Sequence, residues 1–285
     1  MFRLFLILPF LALLGSCKDE PEQIPVYLNI KPFQVTAPGG ESWHKITDGW
    51  LYINGEFLGG YTLPAVIPIL AEGDTEIQVF PGIKENGIEA TPNIYPYLKR
   101  FTKNYNLLSG QTIDVQPVTD YDSNIKYAMG VGRGDFDGGS NIGLENRDGD
   151  TDLNFEISDN GAFSGKCLIM RADTAHPIMD VATELIKDIP NLGAPEVWLE
   201  LHYKTDVPFA LYLLNGNPEN GQGVFQFNKS DTWNKIYLNL TQFIVSSGWR
   251  DQRLFFRLSL PRDEKGKYTQ TEATVRLDNI RLVHF

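Results

Sequence analysis

The sequence predicts an all-β chain in two parts, a small N-terminal β-sandwich followed by a larger C-terminal jelly-roll β-sandwich. Three observations carry that expectation. Apolar and polar residues alternate with a period of two in segment after segment, as half-buried strands require. Turn-forming clusters separate those segments, the clearest being Asn54-Gly55. The 26 glycines, 17 prolines and 12% aromatic residues suit many strands joined by tight turns.

The chain opens with Arg3, an apolar run from Leu4 to Leu14 broken only by Pro9, and then Gly15-Ser16-Cys17. A basic start, an apolar stretch and small residues before a cut make a secretory signal. The run falls well short of the ~20 apolar residues that a helix needs to cross a bilayer. Gly15-Ser16-Cys17 resembles the lipobox of bacterial lipoproteins. That resemblance implies removal of residues 1–16, acylation of Cys17 and a lipidated tether over 17–23. Lys18-Asp19-Glu20 looks like the lysine-plus-acidic export signal of Bacteroidota lipoproteins, which implies a place on the outer face of the outer membrane.

The first folded unit is expected over residues 24–120. Val26, Leu28 and Ile30 share one face of a strand, with Tyr27, Asn29 and Lys31 on the other. Trp50–Ile53 and Glu56–Gly59 flank Asn54-Gly55, whose residues tolerate the positive φ of a hairpin turn. A strand follows over Thr75–Phe80. Thr102–Leu107 and Thr112–Val118 read as a pair joined by Ser109-Gly110, and Pro81–Pro96 as an irregular loop whose isoleucines and tyrosines pack on something. The segment from Leu51 to Gly59, with a strand after Glu72-Gly73, resembles the PEGA-like modules of bacterial surface proteins. These small sandwiches imply a spacer or protein-contact role.

The second unit is expected over residues 121–285. Strands read over Lys166–Met170, Glu196–Asp206, Phe209–Leu214, Trp233–Leu240, Leu254–Leu260 and Ala273–Phe285. Val181–Lys187 is the one helix-like window and reads as extended, given its β-branched residues and Pro190. The end of the Glu200–Asp206 strand, Trp233-Asn234-Lys235-Ile236 and the closing Leu277-Asp278-Asn279-Ile280-Arg281-Leu282 resemble carbohydrate-binding-module jelly rolls of the galactose-binding-like type. The resemblance implies architecture, since fold does not fix function.

The formal net charge of −11, without a basic cluster, excludes nucleic acid as an expected partner. Catalytic signatures are absent from the sequence: no nucleophile elbow, phosphate loop or paired-histidine zinc motif. His44, His176, His202 and His284 lack metal-ligand spacing. Cys167, in an apolar strand, reads as a small buried hydrophobe, and with Cys17 acylated no disulfide is expected. Asp148, Asp150 and Asp152 offer oxygens for a structural calcium ion, although the EF-hand pattern fails at Leu153 and Asp159; solvated turns are the other reading of the same loop. Arg133-Gly134-Asp135 reads as a chance tripeptide. Trp198 and Trp233 fall in alternating strands and read as core, which leaves Trp43 and Trp249 as loop aromatics for ligand stacking.

These features lead to a non-catalytic, lipid-anchored surface protein. Its expected role is an accessory or scaffold subunit of an outer-membrane complex for uptake, secretion or barrel assembly. The alternative is a glycan-binding lipoprotein, and a two-carboxylate glycan hydrolase is the least supported reading. Replacing Lys18, Asp19 and Glu20 with alanine should protect the chain from protease added to whole cells; unchanged cleavage would remove the address and leave only the anchor.

Overall fold

The computed structural model describes residues 22–152, 154–215 and 221–285. Cys17 and the Lys18-Asp19-Glu20 address therefore lie outside the described residues. The N-terminal half contains β1 (Val26–Ile30), β2 (Gln34–Val35), β3 (Asp48–Ile53), β4 (Glu56–Thr62), β5 (Ala65–Ile69), β6 (Gly73–Lys84), β7 (Pro92–Ile94), β8 (Phe101–Leu107), β9 (Thr112–Val115) and β10 (Val118–Thr119). One sheet runs β5-β1-β9 and the other β4-β3-β6-β7, with β8 also paired to β6 and a β10-β2 ribbon beside them. Between the sheets lie Val26, Leu28, Ile30, Leu51, Ile77, Val79 and Leu107. The hairpin at Asn54-Gly55 forms as its sequence requires, with φ of 51° and 83°.

Two expectations for this half are corrected. Thr102–Leu107 and Thr112–Val118 do not pair with each other. Strand β8 joins β6, while β9 runs parallel to β1 in the opposite sheet, so Ser109-Gly110 crosses between layers. Pro81–Pro96 is not irregular throughout either. Strand β6 continues through Pro81 and Gly82 to Lys84 and then pairs with β7. Gly82 is needed there, because a Cβ would stand 2.8 Å from the Cβ of Asp48 on the neighbouring strand.

The C-terminal half is a jelly-roll sandwich of β11 (Lys126–Tyr127), β12 (Leu144–Asn146), β13 (Phe155–Ser158), β14 (Cys167–Asp173), β15 (Ile178–Thr183), β16 (Val197–Thr205), β17 (Phe209–Leu214), β18 (Gly221–Phe227), β19 (Ser230–Asn239), β20 (Arg253–Ser259) and β21 (Glu272–His284). Its first sheet is ordered β13-β14-β21-β16-β19 with β11 on β21, and its second β12-β15-β20-β17-β18. Inward residues alternate along each strand, among them Leu199, Leu201, Leu211, Leu213, Phe256, Leu258, Leu277 and Leu282. One helix, α1 (Thr241–Ser247), follows β19 and stops at Gly248, whose φ of 70° closes its last turn. None of the described helices is long and apolar enough to cross a membrane.

Candidate functional site: the two faces of the C-terminal sandwich

A sandwich offers two outer sheet faces, and here their environments differ. Alternation along β16 turns Trp198, Glu200 and His202 away from the core, and Lys235 and Tyr237 do the same on β19. Opposite β16, the register shifts between Glu200 and His202, where β21 carries Asn279 at a φ of 50°. Arg281 and Val283 thereby join this face. The closing sequence motif divides its work accordingly. Ile280 fills the core, Arg281 turns outward, and the Asp278 carboxylate accepts the backbone N–H groups of Ser164 and Asn279 at 3.1 and 2.7 Å. Burial pushes the Asp278 carboxyl up to about 7.

The N-terminal half covers the face around Glu200. Ile83, Tyr95, Tyr97, Leu98 and Tyr121 pack with Trp198, Tyr237 and Val283 in one buried cluster. At its centre the fully buried Glu200 carboxylate accepts hydrogen bonds from the Tyr95 and Tyr121 hydroxyls and pairs with Lys235 Nζ at 2.9 Å. Around it, Lys45 N donates to the Tyr237 hydroxyl, Asn86 N to the Tyr237 carbonyl, and Asn239 N to the Asn86 side chain. The Arg281 guanidinium lies 5.1 Å from the Trp43 ring. Burial alone would raise the Glu200 carboxyl, but the charges of Lys235, Arg281 and their neighbours prevail and hold it at about 2. The part of this face around Glu200 is therefore covered, while Arg171 and Glu156 on its β13-β14 side stay exposed.

The opposite face, on β12-β15-β20-β17-β18, is open. Asp180 and Arg257 are cross-strand partners, and the guanidinium grips the buried carboxylate through two bonds of 2.8 and 2.6 Å. Arg257 remains 43% exposed. It lies 5.8 Å from the Tyr212 ring and 5.3 Å from that of Phe255. A β-bulge falls beside Tyr212, whose cross-strand neighbour is Gly223; a Cβ there would touch the ring at 3.5 Å, so glycine leaves that flank open. Glu145 completes the surface between Arg147, at 2.7 Å, and Arg253, at 2.9 Å. Burial would raise the Glu145 carboxyl, but hydrogen bonds from the two arginines bring it below its ordinary value. The face thus combines an aromatic ring with guanidinium donors and carboxylate acceptors, held in place before any ligand arrives.

The residues singled out from sequence fall elsewhere. Trp43 is half-buried, with Gly39 beneath its ring and Arg281 above it, at the seam between the halves. Trp249 is half-buried in the loop after α1, its backbone N–H donating to Ser247 Oγ. Of the two tryptophans read as core, Trp198 is buried in the seam cluster, whereas Trp233 is only partly buried and packs on Phe163. Cys167 is buried, and burial pushes its thiol up to about 11, away from the thiolate a nucleophile needs. Asp148 and Asp150 each spend a carboxylate oxygen on a backbone N–H two residues on, and Asp152 reaches His176 at 3.0 Å. Among the described residues no three His, Cys, Asp or Glu side chains gather as a metal site. Gly134 of the Arg-Gly-Asp tripeptide is tied to the last strand through its carbonyl, which accepts Ile280 N. Tyr212, Asp180 and Arg257 were missed. The alternation of Phe209–Leu214 already turns Tyr212 outward, but nothing local announces the arginine and aspartate that join it from two other strands.

No family model and no curated protein matches this chain. Among solved structures, a family 29 carbohydrate-binding module is 15% identical, with a TM-score of 0.33 over 56% of this chain and 84% of its own. A second structure of a family 29 module has the same identity and score over 56% and 90%. The enzymatically active domain of tailspike protein 4 from bacteriophage CBA120 is also 15% identical, with a TM-score of 0.38 over 55% of this chain and 21% of its own. At these scores none of the three assigns a function to this chain.

His44, also buried in the seam, stacks edge-on to Tyr121 at 5.3 Å and faces Lys235, Glu200 and Arg281. Burial, then the Lys235 charge, lowers it to about 4 from its ordinary 6.5. An unfolded chain takes up this proton at a higher pH than the folded one, so stability is lost as pH falls from 6.5 towards 4. The urea midpoint should drop over that window. In His44→Phe the dependence should be shallower by ~1.4 kcal/mol per pH unit. An identical slope in the variant would contradict a neutral buried His44.

Proposed function

We propose that this chain is a non-catalytic glycan-binding protein, with its ligand laid across the exposed β12-β15-β20-β17-β18 face. The observation that carries the reading is the contrast between the two sheet faces. The Glu200 end of one is covered by the N-terminal half, while the other presents Tyr212 and Arg257 to solvent, with the Asp180 carboxylate buried under the guanidinium. Sugars offer apolar C–H faces to an aromatic ring and hydroxyls to charged donors and acceptors, and this surface supplies both. The ion pairs hold the side chains in place, so little ordering is needed on binding.

The sequence supports acylation at Cys17 and, through Lys18-Asp19-Glu20, a position on the cell surface. A glycan binder placed there would meet its ligand outside the cell. The scaffold reading rests on the anchor and the two-part plan alone.

Calorimetry with glycans selected from an array tests the proposal. Tyr212→Ala should weaken binding about ten-fold, ~1.4 kcal/mol, while Trp249→Ala should leave it unchanged. Absence of any glycan ligand, or full affinity in Tyr212→Ala, would overturn it.

A further inference from the structure

The N-terminal half carries an aromatic surface that the reading above does not use. Alternation sends Leu51, Ile77 and Val79 into the core, and so puts Trp50, Tyr52, Gln78 and Phe80 on the outer face of the sheet. The hairpin and the register shift after Leu51 set Phe57 opposite Tyr52. The rings are contiguous: Phe57 stacks on Trp50 at 5.5 Å, and Tyr52 lies 5.2 Å from Phe57 and 5.0 Å from Phe80. Gly60 faces Trp50 across the strands, and a Cβ there would meet the indole at 3.5 Å. Phe57 is 53% exposed, an unusual place for a ring that serves packing alone.

Beyond Phe80 the row runs into a cleft of about 500 Å³ lined by Ile94, Pro96, Lys99, Arg100, Thr102 and Asp122. The Arg100 guanidinium lies 5.5 Å from the Phe80 ring centroid. The backbone beneath is fixed, because Lys99 N donates to the Asp120 carbonyl and Thr119 Oγ1 to the Lys99 carbonyl. Neither Lys99 nor Arg100 forms an ion pair among the described residues, although the chain carries 36 acidic side chains against 25 basic ones. The Asp122 carboxylate at the rim already accepts Asn124 N at 2.8 Å. Two uncompensated cations at the end of an aromatic row call for a ligand with apolar faces and negative charge.

We propose that this row and cleft bind an acidic oligosaccharide. Its sugar rings stack along Phe57, Tyr52 and Phe80, its carboxylate or sulfate meets Arg100 and Lys99, and Thr102 and Asp122 take up hydroxyls. The charge complementarity is local, in a chain that is acidic as a whole, so binding weakens as salt rises. The site belongs to the other half of the chain and stands independently of the Tyr212 face.

Calorimetry of the full chain against oligogalacturonate, a sulfated oligosaccharide and an uncharged galactose oligomer of equal length tests it. At least one charged ligand should bind, and the uncharged one at least ten-fold more weakly. Phe57→Ala and Arg100→Gln, both at exposed positions, should each weaken charged-ligand binding ten-fold or more. Arg100→Gln should also flatten its salt dependence. Binding of neither charged ligand, equal binding of the uncharged oligomer, or full affinity in both cleft variants would overturn the proposal.

Discussion

The buried carboxylate of Glu200 is the constraint on which the arrangement of the chain depends. It projects from the middle of β16 onto a sheet face that would ordinarily be solvated, and it has no exposed surface. A carboxylate taken out of water is tolerable only if its charge and its lone pairs are answered. Lys235 supplies the charge from the same sheet, while the Tyr95 hydroxyl comes from the covering half and the Tyr121 hydroxyl from the segment that joins the halves. The carboxylate therefore needs the N-terminal half in one orientation. The apolar cluster of Tyr97, Leu98, Trp198 and Val283 adds area, but area is non-directional. The hydrogen bonds to Glu200 set the register.

Covering the Glu200 end of one face leaves the other sheet as the uncovered side of the sandwich. The open sheet bears the Arg257–Asp180 fork beside Tyr212, and the outer sheet of the N-terminal half bears the row from Phe57 to Arg100. Both surfaces pair aromatic rings with guanidinium groups on rigid strands. Because the seam fixes the two halves against each other, a ligand engaging both surfaces would meet them at one set spacing, which raises the effective concentration of the second contact.

Much of this was legible in the sequence where local rules decide it. The Asn54-Gly55 hairpin, the alternation of Val26–Ile30 and the inward leucines of β16 follow from turn chemistry and a period of two. The cover over Glu200 was not legible. Glu200 and His202 read as the exposed side of a half-exposed strand, yet both are buried: Glu200 under residues such as Tyr95, about a hundred positions earlier, and His202 under the Phe163 ring at 4.1 Å. Pro81-Gly82 reads as a break but is a strand in which glycine permits close approach and the Pro81 carbonyl accepts Tyr95 N. The parallel pairing of β9 with β1 is a long-range choice that no turn signal marks. The helix at Thr241–Ser247 went unread because its β-branched residues favour strand; Gly248 was its one local signal. The open face is built from residues on separate strands, so its members become neighbours only after folding.

The central claim is that Glu200 couples the two halves. Urea unfolding of the full chain followed by hydrogen exchange in β6 and β16, for wild type and Glu200→Gln, tests it most directly. The wild type should lose protection in both strands in one transition. The variant leaves the Lys235 ammonium buried without its counter-charge, so it should be less stable by ~3–5 kcal/mol, with β6 opening before β16. A loss below ~0.5 kcal/mol, within the range of an ordinary surface substitution, with both strands still opening together, would contradict it.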